Sequence, residues 1–241
     1  MPAFLSARER LAAAVIAAGA AAAFSILPLA ANPQSAPSLS ATGPWTSGEY
    51  VEAIFAVHNG AITLPRLGNP KTEAYFDRLV DRGNIEHLMA GPLAEAEKRR
   101  QILTILSATG EFRGRYGYAV ALGDDVQNEL IQIQIFRLYL IDRLAVLDMP
   151  DGEAMKRCTS AIATTLEGTL DTLAEAPVFT RAQLVALAQA LAQHYPMIRM
   201  RLSAPEDQEI RGRLERMALN EADPALKVAF AAALKTASGS N

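Results

Sequence analysis

The sequence predicts an all-α fold: a compact multi-helix domain of about seven helices around a central helix at residues 125–147, preceded by an N-terminal signal or anchor helix. Three observations carry this expectation. The stretch from Asp125 to Leu147, DVQNELIQIQIFRLYLIDRLAVL, contains no Gly or Pro and has apolar residues on every side, the pattern of a helix enclosed by a core or by lipid. Glu129, Arg137, Asp142 and Arg143 interrupt it, and charges at that density argue against a bilayer. Alanine is abundant while aromatic residues make up only 6% of the chain, which favours helix over sheet.

The central stretch also contains a strand-like alternation, Ile131-Gln132-Ile133-Gln134-Ile135. Length decides against it, because more than twenty residues without a breaker exceed an ordinary strand and suit a helix. Asp124-x-x-Gln127 resembles a capping box at its start, and Asp148-Met149-Pro150-Asp151-Gly152 is a stop signal.

In front of the domain, Arg8 and Arg10 precede an uncharged, Ala-rich run from Leu11 to Ala31. At about 1.5 Å per residue that run reaches ~30 Å, enough to cross a bilayer. Pro28 and the small residues before Asn32 also suit a cleaved secretory signal. Residues 1–31 are therefore expected to be a signal peptide or membrane anchor. Either way the domain leaves the cytosol, since the positive flank stays inside. The expected location is the periplasm or the exterior; the alternative is an inner-membrane anchor with the C-terminal domain outside the cytosol. Residues 32–45, NPQSAPSLSATGPW, read as a Pro/Ser-rich linker. Residues 46–237 form the helical domain and 238–241 a disordered tail.

Within the domain, Thr46-x-x-Glu49 caps a first helix with Val51, Ile54, Phe55 and His58 on one face. Residues 61–71 carry Pro65, Gly68 and Pro70 and read as a loop. A short helix with Tyr75, Phe76, Leu79 and Val80 is expected to end at Gly83, followed by a turn or two to Ala90. Gly91-Pro92 then opens a long helix with Lys98, Arg99 and Arg100 in solvent. After the central helix, Met155, Cys158, Ile162, Leu166, Leu170 and Leu173 form the stripe of an amphipathic helix. Phe179-Thr180-x-x-Gln183-Leu184 combines a capping box with a hydrophobic staple; that helix is expected to stop near Tyr195, before Pro196. Ser203-x-x-Glu206 and Asp223-Pro224 start the last two.

Composition excludes several function classes. A net charge of −3 gives no electrostatic footprint for nucleic acid. The single Cys158 rules out an intramolecular disulfide and a cysteine metal cluster, and its place on an apolar stripe marks it as a core thiol. His58, His87 and His194 lack a partner ligand at helical spacing, so no metal is expected. Serine nucleophile motifs, a phosphate loop, a dinucleotide glycine pattern and a haem motif are all missing, so no cofactor is expected.

Two groups of residues remain as candidate sites. In GEFRGRYGYAVALG, Gly110, Gly114 and Gly117 share a helical face that admits a close neighbour, at a cost in helix stability that also allows a kink or loop. The residues around them, Phe112, Arg113, Arg115, Tyr116 and Tyr118, form a cationic-aromatic binding patch for an acidic partner or a glycan, or simply the outside of a packed helix. On the central helix, Gln132, Gln134, Arg137 and Asp142 must snorkel or find buried partners. Asp124 and Asp125 read as helix caps; as a pair of acids they would suit a glycan hydrolase instead.

The reading with most support is a non-enzymatic exported envelope protein that binds another envelope protein or scaffolds an assembly, touching membrane only through residues 11–31 if these are retained. A carboxylate-dependent periplasmic hydrolase and a small-ligand carrier are the alternatives.

Overall fold

The computed structural model describes residues 44–58, 76–116, 124–149, 152–174 and 178–236. Residues 1–43, the expected loop at 61–71 and the tail at 238–241 lie outside the described residues. Among those described the chain is all-helical, with eight α-helices and no strand. They are α1 (Ser47–His58), α2 (Arg82–Ala90), α3 (Glu95–Tyr116), α4 (Asp124–Val146), α5 (Glu153–Ala174), α6 (Arg181–Ile198), α7 (Ala204–Asn220) and α8 (Pro224–Thr236). A 3₁₀ turn, Arg199–Arg201, follows α6.

Local sequence sets several helix starts. Thr46 and Glu49 exchange hydrogen bonds across the first turn of α1, with the Thr46 N–H donating to Glu49 Oε2 at 2.8 Å and the Glu49 N–H to Thr46 Oγ1 at 3.2 Å. Thr180 with Gln183 and Ser203 with Glu206 form reciprocal capping boxes on α6 and α7. Asp223 Oδ1 accepts from the N–H groups of Ala225 and Leu226 at the start of α8. Each satisfies donors that the first helical turn leaves without partners.

Packing joins α4 to α2, α3, α5 and α6; α1 lies on α3, α7 on α5, and α8 on α6 and α7. The interior of α4 is Ile131, Ile133, Phe136, Leu138, Leu140, Ile141 and Leu144, all buried. Its C-terminal carbonyls are captured by arginines: Arg201 Nε donates to Ala145 O at 2.7 Å and Nη2 to Leu147 O at 3.0 Å, while Arg99 donates to Asp148 O. Cations at that end complement the helix dipole and satisfy its orphan acceptors.

Several local expectations give way to tertiary packing. Trp45, placed at the end of the linker by composition, is 4% exposed; its ring meets the Tyr50 ring edge-on at 5.5 Å and the Arg78 guanidinium at 5.2 Å. On α1 the buried residues include Tyr50, Ala53 and Ala56, with Val51 only partly covered; the side chains of Ile54, Phe55 and His58 lie outside the described residues. Tyr50 belongs inside because its ring stacks on Phe136 at 6.3 Å while its hydroxyl accepts from Asn84 Nδ2 at 2.8 Å. Gly83 does not end a helix but lies in the first turn of α2, whose N-cap is Asp81. Gly91 closes α2, its N–H donating to His87 O, and α3 begins only at Glu95. Arg99 is buried rather than solvated, drawn in by the carbonyl of Asp148. Met155 is exposed, one turn before the stripe on α5 becomes enclosed. The α6 helix passes through Pro196 to Ile198. A proline in the last turn leaves one carbonyl without its usual donor, and the chain then tightens into the 3₁₀ turn.

Candidate functional site

The polar residues of α4 enter two separate clusters. Arg137 and Asp142 are five positions apart, which turns them by roughly 140° around the helix axis, so they meet different neighbours.

The first cluster lies between α4, α3 and α5. Arg137 Nη1 donates to Leu106 O at 2.6 Å and to Thr109 Oγ1 at 3.1 Å, and Nη2 to Thr165 Oγ1 at 3.3 Å. Three residues before it, Gln134 Nε2 donates to Thr169 Oγ1 at 2.6 Å and Thr165 O at 3.4 Å. Thr109, Thr165 and Thr169 are all buried. α3 remains helical through Gly110 and Gly114, and Gly110 has a specific use. A Cβ there would sit 3.1 Å from Arg137 Nη1, tighter than ordinary van der Waals contact. The missing side chain is the slot that admits the guanidinium. Chemically this cluster is a cross-brace, with one planar donor group tying three helices.

The second cluster lies between α4, α2 and α6. Asp142 Oδ2 accepts from Arg143 Nη2 at 2.9 Å and lies 3.0 Å from His194 Nδ1 of α6. Arg143 Nη1 is 3.7 Å from Glu86 of α2, and the Tyr139 hydroxyl donates to the same carboxylate. The guanidinium groups of Arg82 and Arg143 lie 5.0 and 5.5 Å from the Tyr139 ring centroid, cation–π distances. That ring meets His194 edge-on at 5.9 Å. Burial opposes ionisation of Asp142, but hydrogen bonds from His194 and Arg143 outweigh it and hold the carboxyl below its usual range. Burial and the Glu86 carboxylate both push the Tyr139 hydroxyl up.

With Asp142 ionised, the 3.0 Å hydrogen bond assigns a proton to His194 Nδ1. Nε2 is buried and has no hydrogen-bond partner. An aspartate that orients an imidazole is half of a general-base arrangement. Here the other ring nitrogen is enclosed by protein, so the geometry makes a strut between α4 and α6 rather than a base facing substrate.

A third feature is an open groove of about 380 Å³ at the start of α2, lined by Pro44, Arg78, Asp81, Gly83, Asn84 and His87. Its floor is structural: Asn84 Oδ1 accepts from the Trp45 N–H at 3.0 Å, and Nδ2 also donates to Arg78 O at 3.1 Å. Asp81 accepts from the Gly83 N–H at 2.8 Å. Among the described residues no three His, Cys, Asp or Glu side chains gather as metal ligands. Cys158 is buried, and burial pushes its thiol up, away from the reactive thiolate.

Of the residues singled out from sequence, Gln134, Arg137 and Asp142 lie in the interior and Gln132 is half-buried. Phe112, Arg113, Arg115 and Tyr116 have their backbone in α3. Their side chains, like Tyr118 and the side chains of Asp124 and Asp125, lie outside the described residues. Sequence reasoning missed His194, Glu86 and Tyr139. A signal for His194 was present: it continues the face of Leu187, Leu191 and Ile198, all buried, so helical spacing alone places an imidazole in the core. No family model, curated protein or solved structure matches this chain.

Proposed function

We propose that this chain is an exported, non-enzymatic helical protein of the cell envelope, which binds another envelope protein or scaffolds an assembly there. Its export is inferred from Arg8 and Arg10, the uncharged run from Leu11 to Ala31 and the Pro/Ser-rich segment that follows. The observation that most favours a non-catalytic role is the use of the interior polar groups. Arg137, Gln134, Asp142 and His194 hold helix to helix, so their chemistry serves rigidity. A rigid domain suits a binding or scaffolding part, with the residues from Phe112 to Tyr118 as the proposed contact.

Cell fractionation with N-terminal sequencing tests the location: the expected product is extracytoplasmic and begins near Asn32, or keeps its N-terminus in the membrane fraction. A soluble cytosolic product would refute export. Capture of partners from envelope extract, wild type against Arg113→Glu/Arg115→Glu, tests the contact; an unchanged set of partners would remove the patch from consideration.

A further inference from the structure

Helix α8 carries a surface unlike that of its neighbour α7. Its sequence, PALKVAFAAALKT, contains two lysines and no carboxylate. Leu226, Ala229, Phe230 and Ala233 are buried on the side packed against α6 and α7. The other side presents Ala225, Val228, Ala232 and Lys235 at helical spacing, with Lys227 beside them, and Val228 is 69% exposed. Leu219, at the end of α7 that leads into α8, is 78% exposed. Solvent-facing helical surfaces are normally charged, as α7 is with Glu209, Glu215 and Arg216. Nor does α6, against which α8 packs, contain any Asp or Glu. The nearest acids in sequence, Glu221 and Asp223, face Arg181 at 3.4 and 3.8 Å.

We propose that the outer face of α8 rests on an anionic lipid surface. Val228 enters the boundary between headgroups and acyl chains, and Lys227 and Lys235 meet the lipid phosphates. Two arguments choose lipid over a second copy of the chain. The charged side chains of α8 are both cationic, so two such faces would repel while anionic headgroups complement them. A helix of 13 residues is about 20 Å long and roughly 10 Å wide. It offers each copy on the order of 200 Å², against the ~800 Å² per partner of a stable interface. The inference builds on the envelope location proposed above, and it adds a second membrane contact independent of residues 11–31.

The test uses the full chain with vesicles of phosphatidylcholine, alone or mixed equally with phosphatidylglycerol. A fluorophore is attached at Val228→Cys or, as control, at Glu215→Cys on α7; the buried Cys158 does not compete for the label. A lipid-borne quencher should act several-fold more strongly on position 228 than on 215 in the anionic vesicles only. Lys227→Gln/Lys235→Gln should weaken the contact roughly fivefold per lysine. Co-sedimentation separately reads retention through residues 1–31. Retention with equal quenching at both positions overturns the α8 contact and leaves the anchor standing. Selective quenching in a chain processed near Asn32 supports α8 without the anchor. A chain that neither sediments nor is quenched overturns the contact, as does a solution dimer that Val228→Glu dissociates.

Discussion

Around Arg137, the central helix is held by the carbonyl of Leu106 and the hydroxyls of Thr109 and Thr165; around Asp142, it is held by Arg143 and His194, with Glu86 and Tyr139 beyond them. The first neighbourhood depends on shape. It needs a slot at Gly110 and two threonines, Thr109 and Thr165, whose hydroxyls accept from a guanidinium. The second depends on charge. It joins an ionised carboxylate to an arginine that stays partly in water and to an enclosed imidazole. The difference shows that one helix can accommodate buried polar groups in two ways, and that the two should fail under different perturbations.

The largest expected effect is on the shape-dependent side. Arg137→Met should lower unfolding free energy by about 3 kcal/mol in denaturant titration, because buried oxygens of α3 and α5 lose a charged donor. Asp142→Ala should cost about 2 kcal/mol, since the His194 N–H is left unpaired in the core while Arg143 can turn toward solvent. An Asp142→Ala variant more costly than Arg137→Met would reverse the comparison.

Gly110→Ala sharpens it further. In the wild type the added methyl should destabilise by about 1 kcal/mol, because Arg137 Nη1 is pinned at 2.6 Å to Leu106 O and has nowhere to move. In an Arg137→Met background the same change should stabilise by up to ~1 kcal/mol, the ordinary helix preference of Ala over Gly. A change of the same sign in both backgrounds would show that the slot is not made for the guanidinium.

The smallest effect separates the charged side by pH. The Asp142 carboxyl is held lower in the folded chain than its unfolded value of about 3.9. It therefore adds stability above that value, and the addition is lost as the pH falls from roughly 4 through the folded value. Wild type should exceed Asp142→Asn in denaturation midpoint near neutrality, and the gap should close in acid. A gap that stays constant would mean that the carboxylate charge is not what stabilises the pair.

Much of the helical plan was legible because its signals are local. Thr46 with Glu49, Thr180 with Gln183, Ser203 with Glu206 and Asp223 with Pro224 each lie within one turn, so neighbours in sequence decide the start. The errors share a different cause. Arg99 reads as solvent-facing until the carbonyl of Asp148, 49 residues away, is brought beside it. Pro196 reads as a stop until the last turn of α6 is seen to tolerate it. Trp45 reads as linker until Tyr50 and Arg78 surround its ring.

The candidate sites divide along the same line. Composition and periodicity marked Gln134, Arg137 and Asp142 as residues in need of partners, because charge and amide groups on an apolar helix carry a desolvation cost wherever they go. They left the partners unnamed. His194 lies 52 residues from Asp142, and Thr165 lies 28 from Arg137; no periodicity links such positions. Sequence alone determined that the domain's described residues are helical, where several helices begin and which polar groups the central helix must accommodate, since propensity, capping and helical spacing act over one or two turns. Only the tertiary structure decided that Gly110 makes room for a guanidinium and that Asp142 faces His194, because those choices belong to helices brought together by the burial of their apolar faces.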